Sequence, residues 1–364
     1  MQEKNISKNE AGQRLDKMLG KYLDKAPKSF FYKMLRKKNI TLNGKKASGN
    51  EMLCEGDVIR FFLAQDTIEK FQTPVKGQDF ALDNSDKMKA WNVNVVFENE
   101  ELLLLNKPVG LLSQKAVKKD FSINDWALTY LLQKGEITPQ SMATFRPSIC
   151  NRLDRNTSGL ITVGKTLAAI QTLNDLFHRR LLKKEYLCLV LGEVKENAHV
   201  QGYLVKTEKT NKVKIFSTKP ESGKSENSKS ESGKEDLQHA YIETQYQVVA
   251  SHETVTLLRV NLITGKSHQI RAHLASLGHP IIGDHKYGDA TVNALYKKQY
   301  GLPAQLLHAY HLAFPQPEAV AMMDNHLLAD VGGRSFYATL PDQFTEICKD
   351  KGISIHEYME QPRS

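Results

Sequence analysis

The stretch that decides the fold reads NRLDRNTSGL and occupies residues 151–160. It places one carboxylate, Asp154, between two arginines, Arg152 and Arg155, and it leads into the apolar residues 161–163. Close packing of a folded chain does not by itself require any of these three charges. On its own, the stretch has two interpretations: a loop of surface ion pairs, or a carboxylate held at the end of a strand for chemistry. The rest of the chain decides between them.

Further segments combine basic, polar and apolar residues in long patterns. One reads TGKSHQIRAH at residues 264–273 and continues as GHPIIGD at 278–284 and YG at 287–288. Another reads LLLLNKPVGL at residues 102–111, and its unbroken leucines predict a strand that is buried on both faces. A third segment precedes an apolar strand-like run and contains Phe177, Arg180, Lys184 and Tyr186.

Together these segments resemble the RluA-type family of RNA pseudouridine synthases, whose motifs occur in the same order and at similar separations. The resemblance covers nearly the whole chain. It implies an α+β catalytic domain with a mixed, mainly antiparallel sheet, surrounding helices and an RNA cleft across its middle. We place this domain at residues 91–345, and we expect residues 346–364 to be a C-terminal tail.

The resemblance also implies roles for particular residues. Asp154 falls on the catalytic aspartate and Arg271 on its basic partner. Tyr186 falls on the active-site tyrosine that stacks on the target base, with assistance in removing the C5 proton as a second candidate role. The reaction breaks the bond between C1′ and N1 of a uridine, rotates the base and rejoins it through C5. The carboxylate either attacks C1′ or removes a proton from C2′, and the sequence does not choose. The residues expected at the RNA or the target base are Arg152, Arg155, Arg180, Lys184, Lys107, His268 and Gln269.

The target nucleotide has to leave its helix, because C1′ and C5 cannot be worked on inside a stacked base. Arg152 is the residue expected to enter the gap that remains. The chain departs from the common family pattern at Asn151, Asn156 and Lys266, where His, Asp and Arg are usual. None of these changes removes a predicted catalytic side chain, but they weaken any inference about the choice of target.

Positive charge is concentrated at the N-terminus. Residues 1–46 hold 13 basic and four acidic side chains, an excess of nine that equals the formal net charge of +9 for the whole chain. Apolar residues recur at helical spacing between residues 13 and 22, and a second helix is predicted after Pro27 with Ser29 as its N-cap. Asn43-Gly44 predicts a hairpin, and residues 58–61 predict a strand.

This pattern resembles an S4 RNA-binding domain, a small α/β domain that we place at residues 1–64. Two short helices on a small sheet would present a basic face to phosphates, giving salt-dependent affinity with little sequence choice. The alternative is an ordinary small domain with a solvated charged face. The residues expected on the basic face are Arg14, Lys33, Arg36, Lys37, Lys38, Lys45 and Lys46.

Two stretches are polar and aperiodic. Residues 65–90 are expected to form a linker. Residues 219–236 read KPESGKSENSKSESGKED and contain no hydrophobic side chain, so we expect a disordered loop within the catalytic domain.

Several classes of function are disfavoured by the sequence. The four cysteines lie far apart without a CxxC pair, and no run approaches the roughly 18 apolar residues of a membrane helix. The histidines at 268, 273, 279 and 285 lack metal-ligand spacing, and no nucleotide-binding loop follows a strand. We therefore expect a cytoplasmic protein, acting as a monomer, that uses no metal or other cofactor.

The substrate is expected to be structured RNA. Large-subunit (23S) ribosomal RNA or its precursor is favoured by analogy with S4-bearing family members. Transfer RNA is an alternative substrate, and a non-catalytic RNA-binding or assembly protein is an alternative function. The sequence does not indicate which uridine is modified.

Overall fold

The leucine run at residues 102–105 forms the interior of the main sheet. The computed structural model describes residues 1–73, 84–207, 212–219, 239–320 and 326–356. In it the four leucines are fully buried on the two faces of one strand. The strand lies in an eleven-stranded sheet, and so the prediction of a strand buried on both sides is confirmed.

The N-terminal part of the chain forms a small unit with its own apolar core. Its four-stranded antiparallel sheet has the order β1-β4-β2-β3, and two helices pack their apolar faces on it. The turn at Asn43-Gly44 joins β2 to β3, as predicted. The elements are β1 (Gln2–Asn5), α1 (Leu15–Tyr22), α2 (Lys28–Arg36), β2 (Ile40–Leu42), β3 (Lys45–Lys46), β4 (Val58–Phe61) and α3 (Gln65–Phe71).

Two sequence predictions need correction here. Helix α2 begins directly after Pro27, whose fixed φ of −69° suits the entry to a helix, and so Ser29 is not the N-cap. The expected linker begins with helix α3 instead of irregular chain. Ile68 is 1% exposed in the core, and the ring centroid of Phe71 lies 4.6 Å from that of Phe30. The N-terminal unit therefore extends past residue 64, and residues 74–83 of the expected linker lie outside the described residues.

The larger part of the chain is built on the eleven-stranded sheet. Its order is β11-β10-β12-β13-β9-β14-β8-β6-β5, with β15 on β14 and β7 on β8. The strands are β5 (Asn94–Glu98), β6 (Leu102–Lys107), β7 (Ser148–Ile149), β8 (Ser158–Gly164), β9 (Lys183–Leu191), β10 (Ala198–Thr207), β11 (Lys212–Phe216), β12 (His239–His252), β13 (Val255–Leu262), β14 (Leu307–Ala313) and β15 (Ser335–Tyr337).

Helices cover both faces of this sheet. They are α4 (Ile123–Gln133), α5 (Leu167–His178), α6 (Gln269–Ser276), α7 (Ala290–Tyr300), α8 (His326–Val331) and α9 (Asp342–Asp350). Within the described ranges, the strand pairs are antiparallel except β8 with β14. The predicted α+β fold with a mixed, mainly antiparallel sheet is confirmed. Among those same residues, no helix is long and apolar enough to cross a membrane.

The one parallel pairing positions the stretch at residues 151–160. Ala309 of β14 is the register partner of Gly159 on one side and of Tyr186 on the other. The loop that carries Asp154 therefore ends one strand away from the strand that carries Tyr186. This pairing joins segments about 150 residues apart in sequence, so no local sequence pattern predicts it.

The expected C-terminal tail is in part a structural element. Phe344, Ile347 and Cys348 of helix α9 are buried in the core under β9 and β13, and Ile353 and Ile355 are buried with them. Residues 346–356 therefore belong to the folded body, while residues 357–364 lie outside the described residues. Of the loop expected to be disordered, residues 220–236 also lie outside them.

Gly159 provides a test of the parallel pairing. Its φ is +113°, and a Cβ there would lie 2.6 Å from the backbone nitrogen of Ala309. We expect Gly159→Ala to lower the free energy of unfolding by at least about 3 kcal/mol, because backbone strain and overpacking each cost roughly 1–3 kcal/mol. Gly278→Ala is the control. Its φ is also positive, but nothing lies within 4 Å of the added Cβ, so it should cost only about 1–2 kcal/mol. Equal losses in urea denaturation would contradict the close approach of β8 and β14.

Candidate active site

Asp154 lies in the loop between β7 and β8, and this loop is fixed by side chains on both sides. The side-chain oxygen of Asn151 accepts hydrogen bonds from Thr162 N at 2.7 Å and Thr162 Oγ1 at 3.0 Å. Its Nδ2 donates to Leu160 O at 3.1 Å. Asn151 therefore ties the start of the loop to β8, using one acceptor and one donor.

A second anchor comes from Ser113, which sequence reasoning missed. Its hydroxyl donates to Leu153 O at 2.7 Å and accepts from Leu153 N at 3.0 Å, so it holds the residue directly before Asp154. Both bonds are buried, which makes them costly to break. A lone serine after an apolar strand gives no sequence signal for such a role.

The carboxylate of Asp154 is bound by Arg271, as predicted from the resemblance. Arg271 extends from helix α6 and donates from Nη1 to Asp154 Oδ2 at 2.6 Å. The same guanidinium donates from Nε and Nη2 to the two carboxylate oxygens of Asp284 at 2.7 and 2.9 Å. The Asp284 side chain is fully buried, whereas the Asp154 side chain is 26% exposed. Arg271 thus links an interior carboxylate to one that faces solvent.

The charges of this network support one another. Burial alone would raise the pKa of Asp284, but the hydrogen bonds and charge of Arg271, with backbone N–H groups of Lys286 and Tyr287, hold it below its ordinary value. The pKa of Arg271 is raised, because the two carboxylates outweigh its burial. Asp284 lies in the GHPIIGD stretch but was given no role from the sequence.

His268 lies beside the same carboxylate. It precedes helix α6 with a left-handed φ of +59°, and its Nδ1 lies 3.0 Å from the hydroxyl of Tyr287. Its Nε2 is 3.9 Å from Asp154 Oδ2, which is too far for a hydrogen bond. Burial lowers the pKa of His268 despite the opposing charge of Asp154, so the ring is neutral at neutral pH.

Tyr186 is the third predicted catalytic residue. It lies on β9, is 8% exposed, and lines the same cleft as Asp154. Burial raises its pKa strongly, and the negative charge of Asp154 raises it further. The phenol therefore stays protonated, which favours a packing role over a role as a base.

The cleft in front of these residues has a volume of about 600 Å³. Among the described residues that line it, Asp154 carries the one carboxylate, and basic side chains line the cleft with it: Arg152 and Arg155 were predicted there, whereas Lys206 and Lys266 were not. Its apolar lining is formed by Leu112, Leu153, Leu262, Ile270 and Leu307. A cleft that combines basic and apolar side chains with one bound carboxylate suits a polyanion that inserts a planar base.

Two predicted RNA contacts are not supported by the geometry. Lys107 is fully buried, and its Nζ donates to Pro108 O, Leu111 O and Arg155 O at 2.9, 2.8 and 3.0 Å. It holds the loop between β7 and β8, which carries Asp154, from the protein interior. Gln269 is 2% exposed and bonds through both ends of its amide to Thr244, Thr264 and neighbouring backbone. Its amide atoms are already engaged within the protein.

Arg180 and Lys184 lie next to the cleft and are not among the described residues that line it. Arg180 is exposed. Lys184 is half-buried, with its Nζ 5.9 Å from the ring centroid of Phe177, and burial followed by repulsion from Arg180 lowers its pKa. A Cβ added at Gly265, which does line the cleft, would lie 3.9 Å from that Nζ. The pair therefore extends the basic surface at the rim.

The basic residues predicted in the N-terminal unit are mostly free to bind a partner. Arg14 is engaged with Asp16 and Asn50. The other six are exposed and take part in no ion pair within the described ranges; they are Lys33, Arg36, Lys37, Lys38, Lys45 and Lys46.

The four clustered histidines have separate partners. His268 contacts Tyr287, His273 contacts Thr244, His279 contacts the carbonyl of Leu191, and His285 contacts the carbonyl of Pro303. Each ring therefore has a structural contact of its own.

Lys107 provides a test of how the catalytic loop is held. Lys107→Met leaves three backbone carbonyls without their donor, so we expect the free energy of unfolding to fall by at least about 2 kcal/mol. Burial lowers the pKa of Lys107 to about 7, below its unfolded value, so the unfolded chain binds more protons above that pH. The stability advantage of the wild type should therefore grow from about pH 7 to about pH 10.

Urea denaturation at several pH values measures this difference, with Lys118→Met on the exposed loop as control. A Lys107→Met protein as stable as that control would contradict the buried anchor.

Comparisons with known proteins agree with this site. The family model described as RNA pseudouridylate synthase matches residues 101–276. A ribosomal large subunit pseudouridine synthase C from Vibrio parahaemolyticus serotype O3:K6 is 30% identical over 86% of this chain and 88% of its own length. The protein of the same name from Haemophilus ducreyi is 30% identical over 88% of this chain and 92% of its own length.

Among solved structures, human RNA pseudouridylate synthase domain containing 4 has the same fold, with a TM-score of 0.54 and 21% identity over 76% of this chain and 98% of that chain. The chain belongs to the RluA-type family of RNA pseudouridine synthases.

Proposed function

We propose that this pseudouridine synthase acts on uridine in large-subunit (23S) ribosomal RNA or its precursor, with Asp154 as the catalytic carboxylate. The observation that carries the proposal is the bond from Arg271 to Asp154 at the mouth of a basic cleft. The substrate is supported by the Vibrio and Haemophilus relatives, which are named ribosomal large subunit pseudouridine synthases and match this chain over most of their length.

The two oxygens of Asp154 have different environments. Oδ2 accepts the hydrogen bond from Arg271, while Oδ1 receives none from the described residues. This second oxygen is the one we assign to the sugar, where it attacks C1′ or takes a proton from C2′. In either route Arg271 orients the carboxylate, and the neutral His268 adds no competing positive charge.

The remaining residues hold the flipped nucleotide. Tyr186 packs on the target uracil as a protonated phenol, and Arg152 fills the gap left in the RNA. Arg155, Lys206 and Lys266 bind flanking phosphates at the rim of the cleft.

The N-terminal unit acts as an S4-type RNA-binding domain in this proposal. Its six exposed basic side chains contact phosphates, and RNA affinity falls steeply as salt rises. The protein works as a cytoplasmic monomer. Transfer RNA and a purely RNA-binding role remain as outcomes of the test that follows.

Mapping of pseudouridines tests the proposal. Ribosomal RNA from a strain that lacks the protein is incubated with wild type, with Asp154→Asn, or with Asp175→Asn as a control carboxylate outside the cleft. We expect new carbodiimide-dependent stops in large-subunit RNA with wild type and the control only. Stops only in transfer RNA would show that transfer RNA is the substrate instead of ribosomal RNA. Tight binding without stops in either RNA would favour a non-catalytic function.

The buried carboxylate gives a second prediction. Asp284→Asn leaves one acceptor where Arg271 needs two, so the guanidinium is less well oriented toward Asp154. We expect the single-turnover rate at the mapped uridine to fall at least about tenfold, because small displacements of reacting groups are costly, while RNA affinity changes less than about twofold.

Asp289→Asn is the matched control for this variant, because Asp289 caps helix α7 through its side chain and Asn caps equally well. If both variants keep the wild-type rate, Asp284 has no positioning role.

A further inference from the structure

The N-terminal unit and the catalytic body meet at a buried polar contact. Glu10 and Thr144 are each 1% exposed, and the Thr144 hydroxyl donates to Oε1 of Glu10. The same oxygen lies 2.8 Å from Lys4 Nζ. The other carboxylate oxygen accepts from the backbone N–H and the hydroxyl of Ser7 at 3.1 and 2.9 Å. Glu10 thus accepts one of its hydrogen bonds from the larger part of the chain, which carries the eleven-stranded sheet.

The charge of Glu10 is maintained despite its burial. Burial would raise the pKa of this carboxyl, but Lys4, Thr144 and Ser7 together hold it below its ordinary value. A buried ionised group that loses a partner is costly, so the contact resists opening.

Near this contact, the boundary between the two units is exposed at its surface. An exposed ion pair joins Lys8 to Glu100 at 2.6 Å, and a cleft of about 490 Å³ between the two units is lined by charged residues from both sides. The apolar core of the N-terminal unit consists of its own residues. Among the described residues, polar contacts such as Lys8 with Glu100 and Glu10 with Thr144 join the two units, and the second of these is buried.

We propose that the Glu10–Thr144 contact determines which uridine is modified, by holding the basic face of the N-terminal unit at a fixed position relative to Asp154. A flexibly tethered second binding surface lets many uridines reach the cleft, whereas a docked one favours those at a single spacing from the bound phosphates. This inference rests on the proposed function, since it requires both surfaces to bind the same RNA.

Thr144→Val tests the proposal, because it removes the donor while keeping the size of the side chain. Ser141→Ala is the matched control; its hydroxyl bonds only to Thr138 within the same turn, as far as the described residues show. Thr144→Ser restores the hydroxyl and should behave as wild type.

Two measurements are made on each variant. The first is kcat/KM at the mapped uridine in a long ribosomal transcript and in a minimal stem-loop around it. We expect Thr144→Val to lose at least about tenfold on the long transcript only, through KM, and to modify additional uridines. The second is amide hydrogen exchange without RNA, in which residues 7–15 and 140–146 should lose protection.

The outcomes separate this inference from the proposed function. Wild type that modifies no uridine would contradict the proposed function, whatever the variants do. If wild type is active and Thr144→Val matches Ser141→Ala in kcat/KM and in the set of modified sites, the contact does not determine selectivity. Unchanged exchange in Thr144→Val would equally overturn the inference, because the contact would not be holding the unit.

Discussion

The site depends on one buried guanidinium that has to satisfy two carboxylates. Arg271 is buried, so its charge has to be paired inside the protein. Asp284 provides that pairing from the interior and fixes the plane of the guanidinium. The remaining N–H group of Arg271 donates to Asp154, and so the position of the Asp154 carboxylate is set from the protein interior, by the buried Asp284.

The backbone around this pair is held just as tightly. Lys107 donates to three backbone carbonyls beside the loop that carries Asp154. Ser113 bonds to the backbone of Leu153, directly before Asp154, and Asn151 bonds the loop to β8. The parallel pairing of β8 with β14 then brings the loop next to Tyr186, at a point where only glycine fits. A reaction that requires the base to leave its stack benefits from such fixed groups, because binding energy is not spent on ordering the protein.

Much of the fold and the catalytic centre could be predicted from the sequence, because long motifs carried them. The strand at the leucine run 102–105 and the turn at Asn43-Gly44 followed from the residue pattern, whereas the pairing of Asp154 with Arg271 followed from the resemblance to the family. Helix α3 was missed because only Ile68 and Phe71 mark its apolar side. The burial of residues 346–356 was missed, because the many polar residues of the terminal amphipathic helix α9 resemble those of a solvated tail.

The errors at the site share a physical cause. Lysine and glutamine are usually exposed, so Lys107 and Gln269 were predicted to contact RNA, and only the convergence of distant carbonyls and hydroxyls shows otherwise. Ser113 and Lys206 gave no local signal, because their roles arise from segments that meet only in the folded chain. Asp284 stood in a recognised stretch, but its function depends on a side chain 13 residues away.

The most direct test is the single-turnover rate at which tritium leaves C5 of uridine in large-subunit ribosomal RNA, measured with excess protein for wild type and Arg271→Met. If Arg271 positions Asp154, the rate falls at least about a hundredfold while RNA affinity changes little. An unchanged rate in the variant would contradict the central role of this guanidinium.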